Sequence, residues 1–416
     1  MEKTPEELFE ERTQRVEDAI QLKVPDRVPF LPFFSFFPAK YAGISFEEAM
    51  YDYDKLGLAW EKAMLDFQPD MYVNPYGLIA IGPTFEALDY KQLKWPGHGV
   101  DPNLTYQYVE EEYMKAEEYD AFLFDPSGFM IRTIFPRICG ALEPLKMLPP
   151  IPWAYYIRIV PNIAVLGIPE VAGAFESLLK AGAEAQRVMS KASAFIEEME
   201  GLGFPCQFGS GANAPFDYIG DYLRGTRGIM LDMYRNPDKL LEATEKVLPI
   251  MIESGTSLAK RAGIPRVFIP LHKGADGFMS LEQFKTFYWP TLRKLILGLI
   301  DAGLTPCPFF EGDYTSRLEI IGDIPKGKAI YWFERTDMFK VKEVLGERVC
   351  IRGNVPASLL CTGTPEEVKD YCKKLIDVVG KGGGFIMDGS MGIPDEAKIE
   401  NVKAMADFTR EYGVYR

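Results

Sequence analysis

Eight short apolar runs, each followed by a stretch of helical character, constrain this chain more than any other feature. They fall at residues 28–32, 70–74, 204–208, 267–271, 304–310, 329–333, 349–352 and 384–387. Short apolar runs separated by helix-length segments read as parallel strands joined by crossover helices, and eight of them suffice to close a barrel. Helix starts punctuate the series. Thr4-Pro5-Glu6-Glu7, Ser45-Phe46-Glu47-Glu48 and Thr364-Pro365-Glu366-Glu367 each place a hydroxyl N-cap before acids in the first turn. The expected architecture is α/β, a (β/α)8 TIM barrel forming one domain over residues 1–416. Residues 101–201 read as a mainly helical insertion covering one end of it. Within it, the acidic stretch 109–119 reads as a solvated helix face, 144–153 as a proline-rich break and 172–200 as one or two long helices. Ahead of it, 85–95 has extended character.

Charge narrows the functional classes. With 46 basic and 60 acidic residues the net charge is −14, a surface that repels phosphate backbones and anionic lipid. No run reaches the ~18 apolar residues of a membrane span, and no basic, apolar-cored leader opens the chain. Six scattered cysteines without a Cys-x-x-Cys pair fit a reducing compartment. The expectation is a cytoplasmic protein that binds neither nucleic acid nor membrane. Aromatics at 13% and 17 methionines imply a large apolar interior, either plain core or an aromatic-lined cavity.

The chemistry is expected at Thr305-Pro306-Cys307-Pro308-Phe309-Phe310-Glu311-Gly312-Asp313. A buried strand ending in acids, with a glycine for the turn, is how an α/β barrel presents catalytic groups at its C-terminal rim. Alternate residues share a strand face, so Cys307, Phe309 and Glu311 point one way. Cys307 lies about 13 Å along the strand from Glu311, too far to share a metal, and reads as core. Glu311 and Asp313 can split their pKa values as close carboxylates do, or simply cap the loop. His272, one of two histidines, follows the fourth strand and reads as an acid–base group, a ligand or a satisfied lone histidine. His98 lies in a turn. Glu334 follows the sixth strand, Asn354 the seventh, and Asp388 ends the eighth. His272, Glu311, Glu334 and Asp388 form a candidate donor set for zinc or another divalent ion.

An ordered series of motifs carries a resemblance. It runs from Val341-Lys342-Glu343-Val344-Leu345-Gly346-Glu347-Arg348-Val349 through Gly353-Asn354-Val355 and Gly363-Thr364-Pro365-Glu366-Glu367-Val368. Gly392-Ile393-Pro394 and Glu400-Asn401-Val402-Lys403-Ala404-Met405 continue it, and Arg27-Val28-Pro29-Phe30 matches near the N-terminus. The series resembles the uroporphyrinogen decarboxylase superfamily, which implies a (β/α)8 barrel and one of two activities. True decarboxylases of this kind bind substrate carboxylates through an arginine-rich N-terminal motif. The corresponding stretch here, 30–41, holds no arginine and only Lys40. The other branch comprises corrinoid-dependent methyltransferases, whose coenzyme M members bind zinc through a His-x-Cys after the fifth strand and a later Cys. Phe309, Glu311 and Met391 occupy those positions here, leaving Glu311 alone able to ligate.

The resemblance therefore implies a methyltransferase. It would move a methyl group from a small donor, an aryl methyl ether or a methylamine, to a corrinoid on a partner protein, since the chain has no Asp-x-His-x-x-Gly corrinoid-ligand motif. Glu311, His272 and Asp313 are the expected catalytic groups. Phe34, Phe37, Phe309, Asn354 and Met391 are expected to contact the donor. A homodimer is compatible with this reading. The competing readings are a lyase that decarboxylates a tetrapyrrole or another carboxylate, and a non-catalytic tetrapyrrole- or corrinoid-binding protein.

Overall fold

The computed structural model describes residues 3–149 and 156–415; residues 150–153 of the proline-rich break lie outside them. Six parallel strands lie side by side: Ser210–Gly211, Arg266–Leu271, Thr305–Phe310, Ile330–Phe333, Cys350–Arg352 and Phe385–Ile386. Two short bridges close the ring. Phe30 pairs in parallel with Met387, and Tyr72 with Cys206. The Asp70 N–H donates to the Phe30 carbonyl at 2.9 Å, joining the first strand to the second. The eight runs in the sequence are thus the eight staves of a barrel, in chain order.

Strand alternation sorts the side chains. Val267, Ile269 and Leu271 point outward into the main core, beneath helices such as Pro237–Ala262 and Trp289–Asp301. The opposite set fills the barrel. At its N-terminal end Leu31, Met71, Cys307, Ile330, Cys350 and Ile386 pack into a separate apolar cluster. The helix Pro5–Ile20 plugs that end with Val16, Ala19 and Ile20, and its start is fixed by the Thr4–Glu7 capping box. Cys307 belongs to this plug, where burial pushes its thiol up to about 12.

The crossover from second to third strand departs from the sequence reading in detail. Residues 85–95 are not uniformly extended: Gly82–Leu88 is helical and Leu93–Pro96 is a strand of a small three-stranded sheet. The acidic stretch 109–119 is not one helix either. Residues 109–115 run extended along the segment 221–226, with the Met114 N–H on the Leu223 carbonyl and Glu110 capping Thr226. The acids Glu110, Glu111, Glu112 and Glu117 of the stretch nevertheless stay exposed, as a solvated face requires. The long helix is a single one, Pro169–Gly201. Among the described residues no single helix is long and apolar enough to cross a membrane, though the bent pair Ile159–Gly167 and Pro169–Gly201 together passes by length and composition.

Candidate active site

Above the plug, the barrel interior holds an ion pair among aromatic rings and, at the rim, a titratable cluster. Arg352, Asp388, Phe309, Trp332 and Phe33 each stand two residues past a plug residue, and Trp332 is in register with both Phe309 and Arg352. Arg352 donates through Nε and Nη2 to Asp388 Oδ2 at 2.9 and 2.7 Å, through Nη1 to Gln207 and through Nη2 to the Leu31 carbonyl. Asp388 also accepts from the Phe33 and Gly389 N–H groups. Burial pushes this carboxyl up to about 6 against the pull of Arg352.

Aromatic rings flank the ion pair. Trp332 stacks on Phe309 with centroids 3.9 Å apart, and the Arg352 guanidinium lies 4.3 Å from the Trp332 ring centre. Phe33 packs against Trp332 and Phe268 at 5.5 and 5.6 Å, and Phe208 against Phe268 at 5.2 Å. Phe33, Phe208 and Phe268 remain half-buried although they sit inside the barrel, so their open faces form the floor of its mouth.

The rim cluster is titratable. Glu311 stands two residues beyond Phe309 on the same strand face, about 7 Å higher. Gly312 follows at φ +88°, where a Cβ would stand 2.8 Å from Ala275. Its N–H donates to Glu334 Oε2 at 2.6 Å, and this turn swings the chain away so that the Glu311 carboxyl is left facing the mouth. That carboxyl makes no hydrogen bond among the described residues; its neighbour is His272, with Nε2 3.6 Å from Oε1. Burial raises Glu311 to about 7, against the His272 charge, which lowers it.

His272 is held from behind. Its Nδ1 lies 2.6 Å from Asp221 Oδ2, which directs Nε2 toward Glu311. Burial works against the imidazolium, but the Asp221 hydrogen bond and the charges of Glu311, Asp221 and Asp217 outweigh it and raise His272 to about 9. The ring is still 36% exposed, so solvent reaches it. Asp217 is fully buried and accepts from the His272 and Lys273 N–H groups and from the Tyr288 hydroxyl, at 3.0, 3.1 and 2.6 Å. Burial and the Asp221 charge push its carboxyl up. Lys273 pairs with Asp221 at 2.6 Å and stands 3.6 Å from Glu110. Gly274 lets the turn pass Tyr288 and Tyr314, which a Cβ would meet at 2.6 and 2.7 Å.

The structure brings Glu311, His272 and Phe309 together and separates the other expected residues from them. Asp313 is exposed and caps Thr315 through N–H and hydroxyl, a turn device. Phe34 and Phe37 are each 1% exposed, stacked on one another at 5.5 Å and packed on Phe67 outside the barrel. The register is one residue off: Phe33 faces the mouth, so Phe34 cannot. Asn354 clamps the neighbouring turn, donating to the Glu334 and Thr336 carbonyls and accepting from Tyr371. Met391 is 53% exposed in a turn and outside both core clusters. His98 stacks on Trp95 and Tyr51 and pairs with Glu86, in the crossover.

The four-residue donor set does not assemble. Asp388 is buried and bound to Arg352, and Glu334 is committed to Gly312 and Arg335. That leaves His272 and Glu311, short of the three protein ligands of a catalytic zinc site. Among the described residues no group of three His, Cys, Asp or Glu comes together for a metal. The residues present do not fit the ion.

Sequence reasoning passed over Asp217, Asp221 and the open aromatic floor. Two signals were there: Asp217 and Asp221 are four apart, hence on one helix face after the third strand, and Phe268 shares strand parity with His272.

The Methanosarcina mazei methyltransferase superposes on this chain with a TM-score of 0.65, covering 96% of this chain and 98% of its own, at 16% identity. At that identity the likeness is one of fold. Among curated relatives, the uroporphyrinogen decarboxylase of Psychromonas ingrahamii is 27% identical over 139 residues, 32% of this chain and 38% of that protein. That of Methylococcus capsulatus is 26% identical over 195 residues, 45% of this chain and 53% of that protein. The chain spans about half or less of the length of these relatives. The family model described as uroporphyrinogen decarboxylase matches residues 191–412, just over half of the chain and six of the eight staves. The chain belongs to the uroporphyrinogen decarboxylase family.

Proposed function

We propose that the protein is a methyltransferase that takes a methyl group from a small methylated donor and delivers it to a corrinoid carried by a partner protein. The carrying observation is Glu311: a carboxyl inside the mouth, raised toward neutrality, without a hydrogen bond of its own and 3.6 Å from His272. Such a group holds a proton at the heteroatom that leaves as the methyl departs. In that step the carbon–heteroatom bond breaks and its electron pair stays on the heteroatom; cob(I)alamin supplies the pair for the new bond. Asp221 orients His272, and the His272 charge sets how readily Glu311 gives up its proton. The aromatic floor orients the donor and keeps water from its methyl group. The fold shared with the Methanosarcina mazei methyltransferase supports this reading.

Decarboxylation of uroporphyrinogen competes, since the curated relatives carry that name. A porphyrinogen with many carboxylates needs free cations at the mouth. Inside the barrel, Arg352 is instead spent on Asp388, and Arg266 on Glu17 and the Cys206 and Gln207 carbonyls.

The test is methyl transfer to reduced free corrinoid from a panel of ethers and amines. Glu311→Gln is expected to lower the rate by about 10²–10⁴-fold, the usual worth of a positioned general acid. No transfer from any donor, or carbon dioxide released from uroporphyrinogen, sinks the reading.

A further inference from the structure

The floor and the rim of the mouth differ in a way that selects charge. Below lie the open faces of Phe33, Phe208 and Phe268, half-buried rings inside the barrel. Trp332 is already used, with Arg352 over its ring and Phe309 stacked on it. Above stand four carboxyl groups, Asp217, Asp221, Glu311 and Glu334, against three cations, His272, Lys273 and Arg335. Glu110 adds a fifth carboxyl beside Lys273. Asp221 matches His272 and Lys273, and Glu334 is bonded to Gly312 and Arg335, so Glu311, 3.6 Å from His272 and without a hydrogen bond, is the acceptor left over.

Phe268 is in register with Cys307, two strand repeats and about 13 Å along the strand below Glu311. A cation resting on the floor, within the ~6 Å reach of a ring centroid, has the carboxyl groups of the rim above it. An aromatic floor under an anionic roof is the arrangement that recognises alkylated ammonium ions. A neutral ether gains the apolar contact alone, and a carboxylated donor meets repulsion.

We infer that the mouth takes its donor as an organic cation, a methylammonium whose N-methyl groups lie on Phe33, Phe208 and Phe268 and whose charge faces Glu311. This rests on the methyl-transfer reading above and names its donor class. For a protonated methylamine the balance is simple. The C–N bond breaks, nitrogen keeps both electrons and the proton it shares with Glu311, and a neutral amine leaves. Cob(I)alamin supplies the electron pair of the new carbon–cobalt bond.

The probe is tetramethylammonium chloride, titrated calorimetrically at constant ionic strength against tert-butanol, its neutral counterpart in shape. The ammonium is expected to bind at least about 10-fold more tightly. Phe268→Leu, which keeps an apolar side chain and removes the ring, is expected to weaken it by about 2- to 30-fold, the range of a cation–π contact. Phe33→Leu is expected to act in the same direction. Equal binding of tert-butanol, no binding of either, or an unchanged affinity in both variants overturns the inference. The corrinoid assay separates the two claims. Demethylation of an ether by a protein that binds no ammonium ends the inference and leaves methyl transfer standing. Ammonium binding without transfer from any methylated amine retains the cation site and ends the methyl-transfer reading.

Discussion

Two acid–base pairs share the inside of this barrel. Arg352 and Asp388 lie among the aromatic rings, 1% and 0% exposed, with both carboxylate oxygens and most guanidinium donors bonded. His272 and Glu311 lie nearer the mouth, 36% and 30% exposed, and Glu311 has bonding capacity to spare. The lower pair is closed, and the upper one is held from behind by Asp221 and Asp217 but open toward the mouth. Partners account for the difference. Both acids stand past the last ladder position of their strands, but Asp388 is enclosed by Arg352 and the Phe33 and Gly389 N–H groups, whereas the Gly312 turn leaves one side of Glu311 free. A closed pair contributes specificity of structure, and an open pair keeps a proton available for a ligand.

The largest effect that sharpens this contrast is expected in the lower pair. Arg352→Met strands a buried carboxylate and should cost about 3–5 kcal/mol in urea unfolding, with Arg352→Met/Asp388→Leu recovering most of it. Recovery absent in the double variant would break the comparison, because the pair would then be no isolated unit. In the upper pair, Glu311→Gln should leave stability at neutral pH within about 1 kcal/mol while suppressing activity.

The second prediction concerns pH. Both Glu311 and His272 are raised by folding, to about 7 and about 9. The folded chain therefore binds protons more tightly than the unfolded one at both sites, and their stabilisation is greatest at low pH. Glu311's share falls between the ordinary carboxylate range and pH 7, and His272's between about 6.5 and 9. Glu311→Gln should flatten the first decline. With only two histidines, imidazole NMR reads His272 directly and His98 serves as internal control; Asp221→Asn should move the His272 midpoint down by more than one pH unit. A His272 midpoint near 6.5 in the native protein would show that Asp221 does not hold it.

The smallest effect is reserved for Asp313, the acid nearest Glu311 in sequence. As a turn cap it should cost about 0.5–1 kcal/mol on replacement by alanine, with activity unchanged. A loss comparable to that of Glu311→Gln would erase the distinction between the two carboxyls.

Much of this was legible beforehand. The eight staves were marked by apolar runs because a buried parallel strand must be apolar on both faces. Glu311 and His272 were marked because polar residues immediately after such runs stand at the rim. The errors share one origin. Phe34 and Phe37 were taken for the cavity wall because an aromatic-rich stretch does not announce which residue points inward; the Phe33 N–H on Asp388 fixes that phase. Asp388 looked like a rim acid because its partner, Arg352, comes from another strand. The acidic stretch 109–119 looked helical because nothing local tells Glu110 that Thr226 awaits it, although its acids do face water.

The sequence by itself determined the barrel, its order of strands and the two residues at its mouth, since periodicity and strand ends are local properties of a chain. The tertiary structure alone decided which charges are sealed and which stay open, how far His272 and Glu311 are tuned, and which faces of the aromatic floor are exposed. Those depend on burial and on partners from distant segments, and both come into existence only when the barrel closes.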